Sequence, residues 1–380
     1  MHLGFLTPEY PHPRTTVAAG LGTSIKNLAL ALVAKGVKVS VFVYSQREDA
    51  VFTEDGIMLH LIKHRRFKYL GWYLYRKTIQ NYLNKYIAVE KIDAIEAPDW
   101  TGITAFMKLR CPLVIRFHGT DAYFCKLENR PQKKKNFYFE SKALKSADHL
   151  LSVSQFTAEE TRKLFGLKKE IRVIPNSVDV ETFAPLTEVE PEAFSILYFG
   201  TIIRKKGVLE LAPIFNKVIQ AFPEAILYLA GNDVVDTHNY LSTRALVMEE
   251  FSAAASRRVK WLGALPYSKI KDRIARSQVV VLPSYAEALP MAWLEAMAME
   301  KALVTSNIGW AREVMVDGKT GYKVDPKDHS LFAERVLDLL ENPATAEKMG
   351  KAARQRVVEN FSSEVVSGRN LEFYKELVKG

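Results

Sequence analysis

The chain has 380 residues, 48% hydrophobic, 25% charged and 11% aromatic, which excludes a disordered, collagen-like or low-complexity protein. At roughly 100–200 residues per domain, the length predicts two domains. The formal charge of +10 admits nucleic acid, anionic membrane or phosphorylated small molecules as partners and selects none of them.

In chain order, residues 2–6 read as a buried strand. Residues 20–35 read as a helix, with Leu21, Ile25, Leu28 and Leu32 on its apolar face, and 38–44 as a second strand. Further strands are predicted at 94–96, 113–117, 150–153 and 172–174, with helical stretches between them. This alternation predicts a parallel sheet covered on both faces. Residues 179–191 break the pattern with Pro185, Glu188, Glu190 and Pro191 and read as a linker. The alternation then restarts. Strands are predicted at 195–199, 225–230, 259–262, 279–282, 302–305 and 322–324, and helices at 207–221, 240–255, 267–276 and 290–299. A helical tail occupies 331–340, 344–359 and 362–378. The expectation is an α/β protein of two Rossmann-like halves facing a central cleft, divided at 1–185, 186–360 and a terminal helix at 361–380.

Cys111 and Cys125 are too few for a disulfide framework or a four-cysteine zinc site. The first residues lack a signal-peptide pattern, and no run approaches 18 uncharged apolar residues. A cytoplasmic location is the expectation.

Ligands of open α/β sheets bind beyond the carboxyl ends of the strands, and four constellations fall there. The glycine-rich stretch Ala19-Gly20-Leu21-Gly22-Thr23-Ser24 opens the first helix, where glycine permits close backbone approach and the helix N-terminus favours an anion. A tight turn with a glycine cap explains it equally well. Arg116-Phe117-His118-Gly119-Thr120-Asp121 places a histidine at a strand end. Gly200-Thr201-Ile202-Ile203-Arg204-Lys205-Lys206-Gly207 sets three cations between glycines at a strand-to-helix turn, which suits a diphosphate. Finally, Glu287 and Glu295 bracket Ala288-Leu289-Pro290-Met291-Ala292-Trp293-Leu294. Two carboxylates in apolar surroundings can each accept hydrogen bonds from a polyol.

With these motifs the chain resembles a retaining glycosyltransferase of the GT-B type, from the group called glycosyltransferase family 4 or glycosyl transferases group 1. The segments 173–179, 301–306 and 317–321 and the stretch Glu96-Ala97-Pro98-Asp99-Trp100 extend the resemblance over nearly the whole chain. The resemblance implies that the first domain receives the acceptor and the second the nucleotide sugar, and that the terminal helix crosses back onto the first. It implies that His118 lies beside the donor sugar and that Glu287 holds the sugar hydroxyls. Lys206, with Arg204 or Lys205, would neutralise the diphosphate, and Glu295 would bind the ribose. Backbone around Leu289, Pro290 and Met291 would assist, Leu262 would border the base, and Gly20, Gly22 and Thr201 would line the donor. Glu96, Asp99 and Asp121 are acceptor-side candidates. Thr201 stands where the family often has arginine, and Ala288 where it has glycine.

No D-x-D motif occurs, so no metal and no cofactor are expected, and the resemblance implies a UDP- or GDP-sugar as donor. The acceptor expected is a carbohydrate or lipid-linked hydroxyl, in a glycolipid or cell-surface polysaccharide precursor. An epimerase or phosphorylase of the same fold is the alternative reading, and a nucleic-acid-binding protein a weaker one. Residues 1–185 hold 28 basic and 18 acidic residues, and the remainder holds 25 of each. The stretch 56–89 has no carboxylate but seven cations and seven aromatics of the Phe, Tyr and Trp types. That mix suits a basic rim for a phosphorylated acceptor, single-stranded nucleic acid or an anionic membrane surface, the last at the inner membrane face being preferred.

Overall fold

The computed structural model describes residues 1–16 and 20–379. They form two compact units, Met1–Ser177 together with Ser362–Gly380, and Val178–Phe361.

The first unit is built on eight strands: β1 (His2–Thr7), β2 (Lys38–Gln46), β3 (Ala50–Glu54), β4 (Ile57–Lys63), β5 (Ala94–Pro98), β6 (Leu113–Phe117), β7 (His149–Ser152) and β8 (Ile171–Val173). Their order is β3-β4-β2-β1-β5-β6-β7-β8. All pairs are parallel except β3 with β4. That β3–β4 hairpin was not predicted. Its turn residues Asp55 (φ 52°) and Gly56 (φ 76°) both have positive φ, as a type I′ turn requires.

Every residue of β1 is buried, because helices cover both faces. Leu3 and Phe5 pack with Ile25, Leu28 and Leu32 of helix Gly20–Ala34 and with Val366 and Phe373 of helix Ser363–Lys379. Leu6 points the other way, into a cluster with Ile79 and Leu83 of helix Gly71–Glu90 and Leu144 of helix Lys134–Ser146. The terminal helix is also held by a buried polar network. Arg116 donates to Glu96 through Nε (2.7 Å) and Nη2 (3.0 Å), Nη2 also reaches Asn370 Oδ1 at 2.5 Å, and Tyr374 OH donates to Glu96 Oε2 at 2.5 Å. A buried ion pair is tolerable only when its remaining hydrogen-bonding capacity is used, and the last helix supplies those partners.

The second unit has six parallel strands: β9 (Ser195–Phe199), β10 (Ile226–Ala230), β11 (Val259–Gly263), β12 (Val279–Leu282), β13 (Ala302–Ser306) and β14 (Tyr322–Val324), in the order β11-β10-β9-β12-β13-β14. The helix predicted from 207 begins instead as two 3-10 turns on either side of Gly207 and becomes α-helical only over Leu211–Ala221. The helix predicted over 240–255 is two, Thr243–Glu250 and Ala253–Ser256, the second started by the Ser252 hydroxyl accepting from Ala255 N at 3.2 Å.

In each sheet the strand order reverses beside one strand. β1 lies between β2 and β5, and β9 between β10 and β12. Connections leaving such strands diverge and open a crevice for ligand.

Candidate active site

In the second unit the connections leaving β9 and β12 meet at the reversal. Backbone bonds join them, since Tyr285 N and Ala286 N both donate to Lys205 O, at 2.8 and 3.2 Å. Gly207, at φ 68°, packs so closely that a Cβ there would stand 1.9 Å from Pro283 O. Only glycine satisfies both the left-handed backbone and the approach. The result brings Lys206 to Glu287, with Nζ donating to Oε1 at 2.5 Å. Glu287 is buried, on the turn that Pro290 ends by starting helix Met291–Ala298.

Glu295 lies inside that helix, also buried. Burial pushes its carboxyl up to about 7, opposed by a hydrogen bond from Tyr267 OH (3.0 Å) and by the charge of Lys206. Lys206 therefore acts on both carboxylates of the E-x7-E pair. Leu289 and Ala288 are buried beside them, Pro290 is buried and Met291 half-buried. Leu262, at the end of β11, is half-buried next to exposed Gly263.

Arg204 is already engaged within the second unit. Its guanidinium forms a two-pronged pair with buried Asp236, Nε to Oδ1 at 2.8 Å and Nη2 to Oδ2 at 3.0 Å. That pair holds Asp236 down at about 2. Arg204 thus braces the loop through Asp236, as Lys206 does through Glu287. Thr201 is exposed, and its carbonyl accepts from Tyr198 OH at 2.9 Å.

In the first unit His118 follows β6, as predicted. Its backbone N donates to Asp99 Oδ1 at 3.0 Å. Burial and the Arg116 charge push its imidazole down to about 3, so it is neutral at physiological pH and can donate or accept. The acceptor-side candidates fare unequally. Glu96 is buried and engaged by Arg116 and Tyr374, and it helps to anchor the terminal helix. Asp99 is fully buried and holds the turn that carries His118. Asp121 is half-buried and accepts from Arg130 Nη2 and Asn136 Nδ2, both at 2.9 Å. In the glycine-rich opening Ala19 lies outside the described residues. Gly20 is exposed with open space at its Cβ position, and Gly22 N donates to Glu9 Oε1 at 2.8 Å.

Sequence reasoning missed Tyr267, Asp236, Glu9 and Glu140. The last is a buried carboxylate that accepts from Asp121 N (2.7 Å), Ala122 N and Thr101 N (both 3.2 Å) and is pushed up to about 7, mainly by burial. All four act through partners distant in sequence, and no local spacing announces them.

Among solved structures, sucrose-phosphate synthase from Thermosynechococcus elongatus matches with a TM-score of 0.80 at 20% identity, over 99% of each chain. The Anabaena protein HepE in complex with UDP and glucose matches with a TM-score of 0.76 at 17% identity, over 99% of this chain and 100% of that one. The fold is therefore that of the GT-B glycosyltransferases. Residues 18–182 match the model "Glycosyltransferase Family 4", and residues 181–356 the model "Glycosyl transferases group 1". The chain belongs to this glycosyltransferase family. A curated relative is the glycogen synthase of Mycobacterium tuberculosis, 27% identical over 76% of this chain and 70% of that protein.

Proposed function

We propose that the protein transfers a hexose-type sugar from a UDP- or GDP-sugar to an acceptor hydroxyl of a glycolipid or cell-surface polysaccharide precursor. The configuration at the sugar is retained, no metal or cofactor takes part, and the enzyme works from the cytoplasm at the inner membrane face. The observation that carries this reading is the Lys206–Glu287 pair at the β9/β12 reversal, with buried Glu295 in the field of the same lysine. HepE, whose complex holds UDP and glucose, supports the donor class.

In this reading Lys206, with Lys205 beside it, faces the diphosphate. The bond from the anomeric carbon to the phosphate oxygen breaks and negative charge grows on the leaving group. Preorganised cations stabilise that charge more in the transition state than in the ground state. Glu287 accepts hydrogen bonds from the sugar hydroxyls, assisted by backbone from Leu289 to Met291. Glu295 does the same for the ribose, and Leu262 borders the base. Neutral His118 hydrogen-bonds the sugar without adding a charge that would oppose an oxocarbenium-like state. The acceptor oxygen bonds to the anomeric carbon on the face the phosphate leaves, and its proton passes to the departing phosphate.

Glu287→Gln and Lys206→Ala should each lower turnover by about 10²–10³ with an unchanged unfolding transition. A thermal-shift series with UDP, GDP, ADP and their sugars should raise Tm for the true donor. Wild-type turnover in both variants would remove the assignment.

A further inference from the structure

The first unit carries a basic, aromatic-rich surface. Three of its segments, 56–89, 100–120 and 129–139, contain no aspartate or glutamate. The fold brings their aromatic residues together: Trp72 lies against Phe139 (ring centroids 4.9 Å) and Phe106 (5.7 Å), and Phe106 against Tyr138 (6.1 Å). Lysines ring the cluster. Lys77 sits 5.5 Å over Tyr73, Lys135 5.8 Å over Phe139 and Lys142 5.9 Å over Phe106. Among the described residues Lys133, Lys134, Lys135 and Lys142 form no ion pair, and all four are exposed.

The apolar part projects. Phe67, Tyr69, Leu70, Trp72 and Leu74 are exposed within eight positions, Tyr69 at 73% and Leu70 at 63%. Leu70 takes a left-handed conformation (φ 49°) at the start of helix Gly71–Glu90, which is uncommon for leucine. Exposed apolar residues scattered singly need no explanation, but a contiguous cluster rimmed by one sign of charge does.

We propose that this face docks on an anionic lipid bilayer, with Tyr69, Leu70 and Trp72 in the headgroup–acyl boundary and Lys133–Lys135 against acidic headgroups. The proposal rests on the lipid-side acceptor reading above and names the surface that serves it. Bare leucine side chains gain nothing by stacking on bases or sugars and gain free energy by leaving water. Tyrosine and tryptophan suit the interface, where the ring is apolar and its polar edge stays hydrated. Lysines close to an anionic surface add an attraction that weakens with salt.

The test is co-sedimentation of the full chain with phosphatidylglycerol-containing and pure phosphatidylcholine vesicles. Binding is expected only to the former and should weaken with added salt. Lys133→Gln/Lys134→Gln/Lys135→Gln should lose roughly 100-fold in apparent affinity, and Tyr69→Ser/Leu70→Ser at least about tenfold. Both variants should keep wild-type donor hydrolysis in solution. Equal binding to the two vesicle types overturns the proposal. So does a Tyr69→Ser/Leu70→Ser variant that binds like wild type, or heparin or RNA binding that depends on the lysines alone. Failure of the transferase reading shows separately, as absent donor turnover in solution with vesicle binding intact.

Discussion

Tyr267 OH donates a hydrogen bond to the Glu295 carboxyl, which burial pushes up to about 7, and this one bond gives the proposed donor site a readable pH dependence. Burial raises Glu295 above its ordinary value, while the Tyr267 bond and Lys206 lower it. If Glu295 holds the ribose as proposed, its ionised form is the better acceptor, and kcat/KM for the donor should fall as pH drops below about 7 in the free enzyme. Tyr267→Phe removes a bond that favours ionisation, and the acid limb of the profile should move to higher pH with kcat little changed at alkaline pH. An unmoved limb would separate Glu295 from donor binding. At the same scale Arg204 shows what a run of three cations leaves unsaid. The run was legible, but the partner of its first member, Asp236, lies 32 residues away. Only the fold decides which carboxylate each of the adjacent charges meets, Asp236 for Arg204 and Glu287 for Lys206.

Among the elements, the turn after β6 that carries His118 is held by two buried acids, not by local sequence. Asp99 accepts from the amides of His118 and Gly119, and burial, with Glu140 nearby, pushes it up to about 8 from an ordinary value of 3.8. A carboxyl raised in the folded state favours folding fully below its unfolded pKa, and that contribution is lost as pH rises through the folded value. Wild-type stability should therefore decline from about pH 4 to pH 8, and Asp99→Asn should flatten much of that decline. Urea midpoints across this range measure it, and parallel curves for the two proteins would rule out the buried-acid account. Glu140, pushed up to about 7, leaves a residual slope of the same sign in the variant. The strands that form the sheet centres were legible because parallel strands buried on both faces read as short continuous apolar runs. The edge hairpin was not, since β3 is only partly buried and its one sharp signal is the Asp55-Gly56 turn. The carboxylates of Glu96 and Asp99 were legible as polar residues near a strand end. Their burial was not, because it depends on Arg116, Tyr374 and the His118 turn, which come from other parts of the chain.

For the molecule as a whole, the charge count that opened the sequence reading resolves into regions of different character. The basic excess belongs to residues 1–185, while the remainder is balanced. The connectivity is just as uneven. The second unit enters at Val178 and leaves at Phe361, and Val178 N donates to Phe361 O at 2.9 Å. Its two ends are pinned together, which makes it a guest inserted into a host whose last helix is written after it. Guest and host should respond differently to being cut. Residues 178–361 expressed alone should unfold cooperatively and keep a Tm increase with the donor nucleotide, and a fragment without a cooperative transition would refute this. Residues 1–177 alone would lack Asn370 and Tyr374, leave Arg116 and Glu96 short of buried partners, and bare the apolar face covered by Val366 and Phe373. The host cannot finish folding until helix Ser363–Lys379 arrives. During synthesis, therefore, the second unit can be complete while the first, which begins before it, is still waiting for its closing helix.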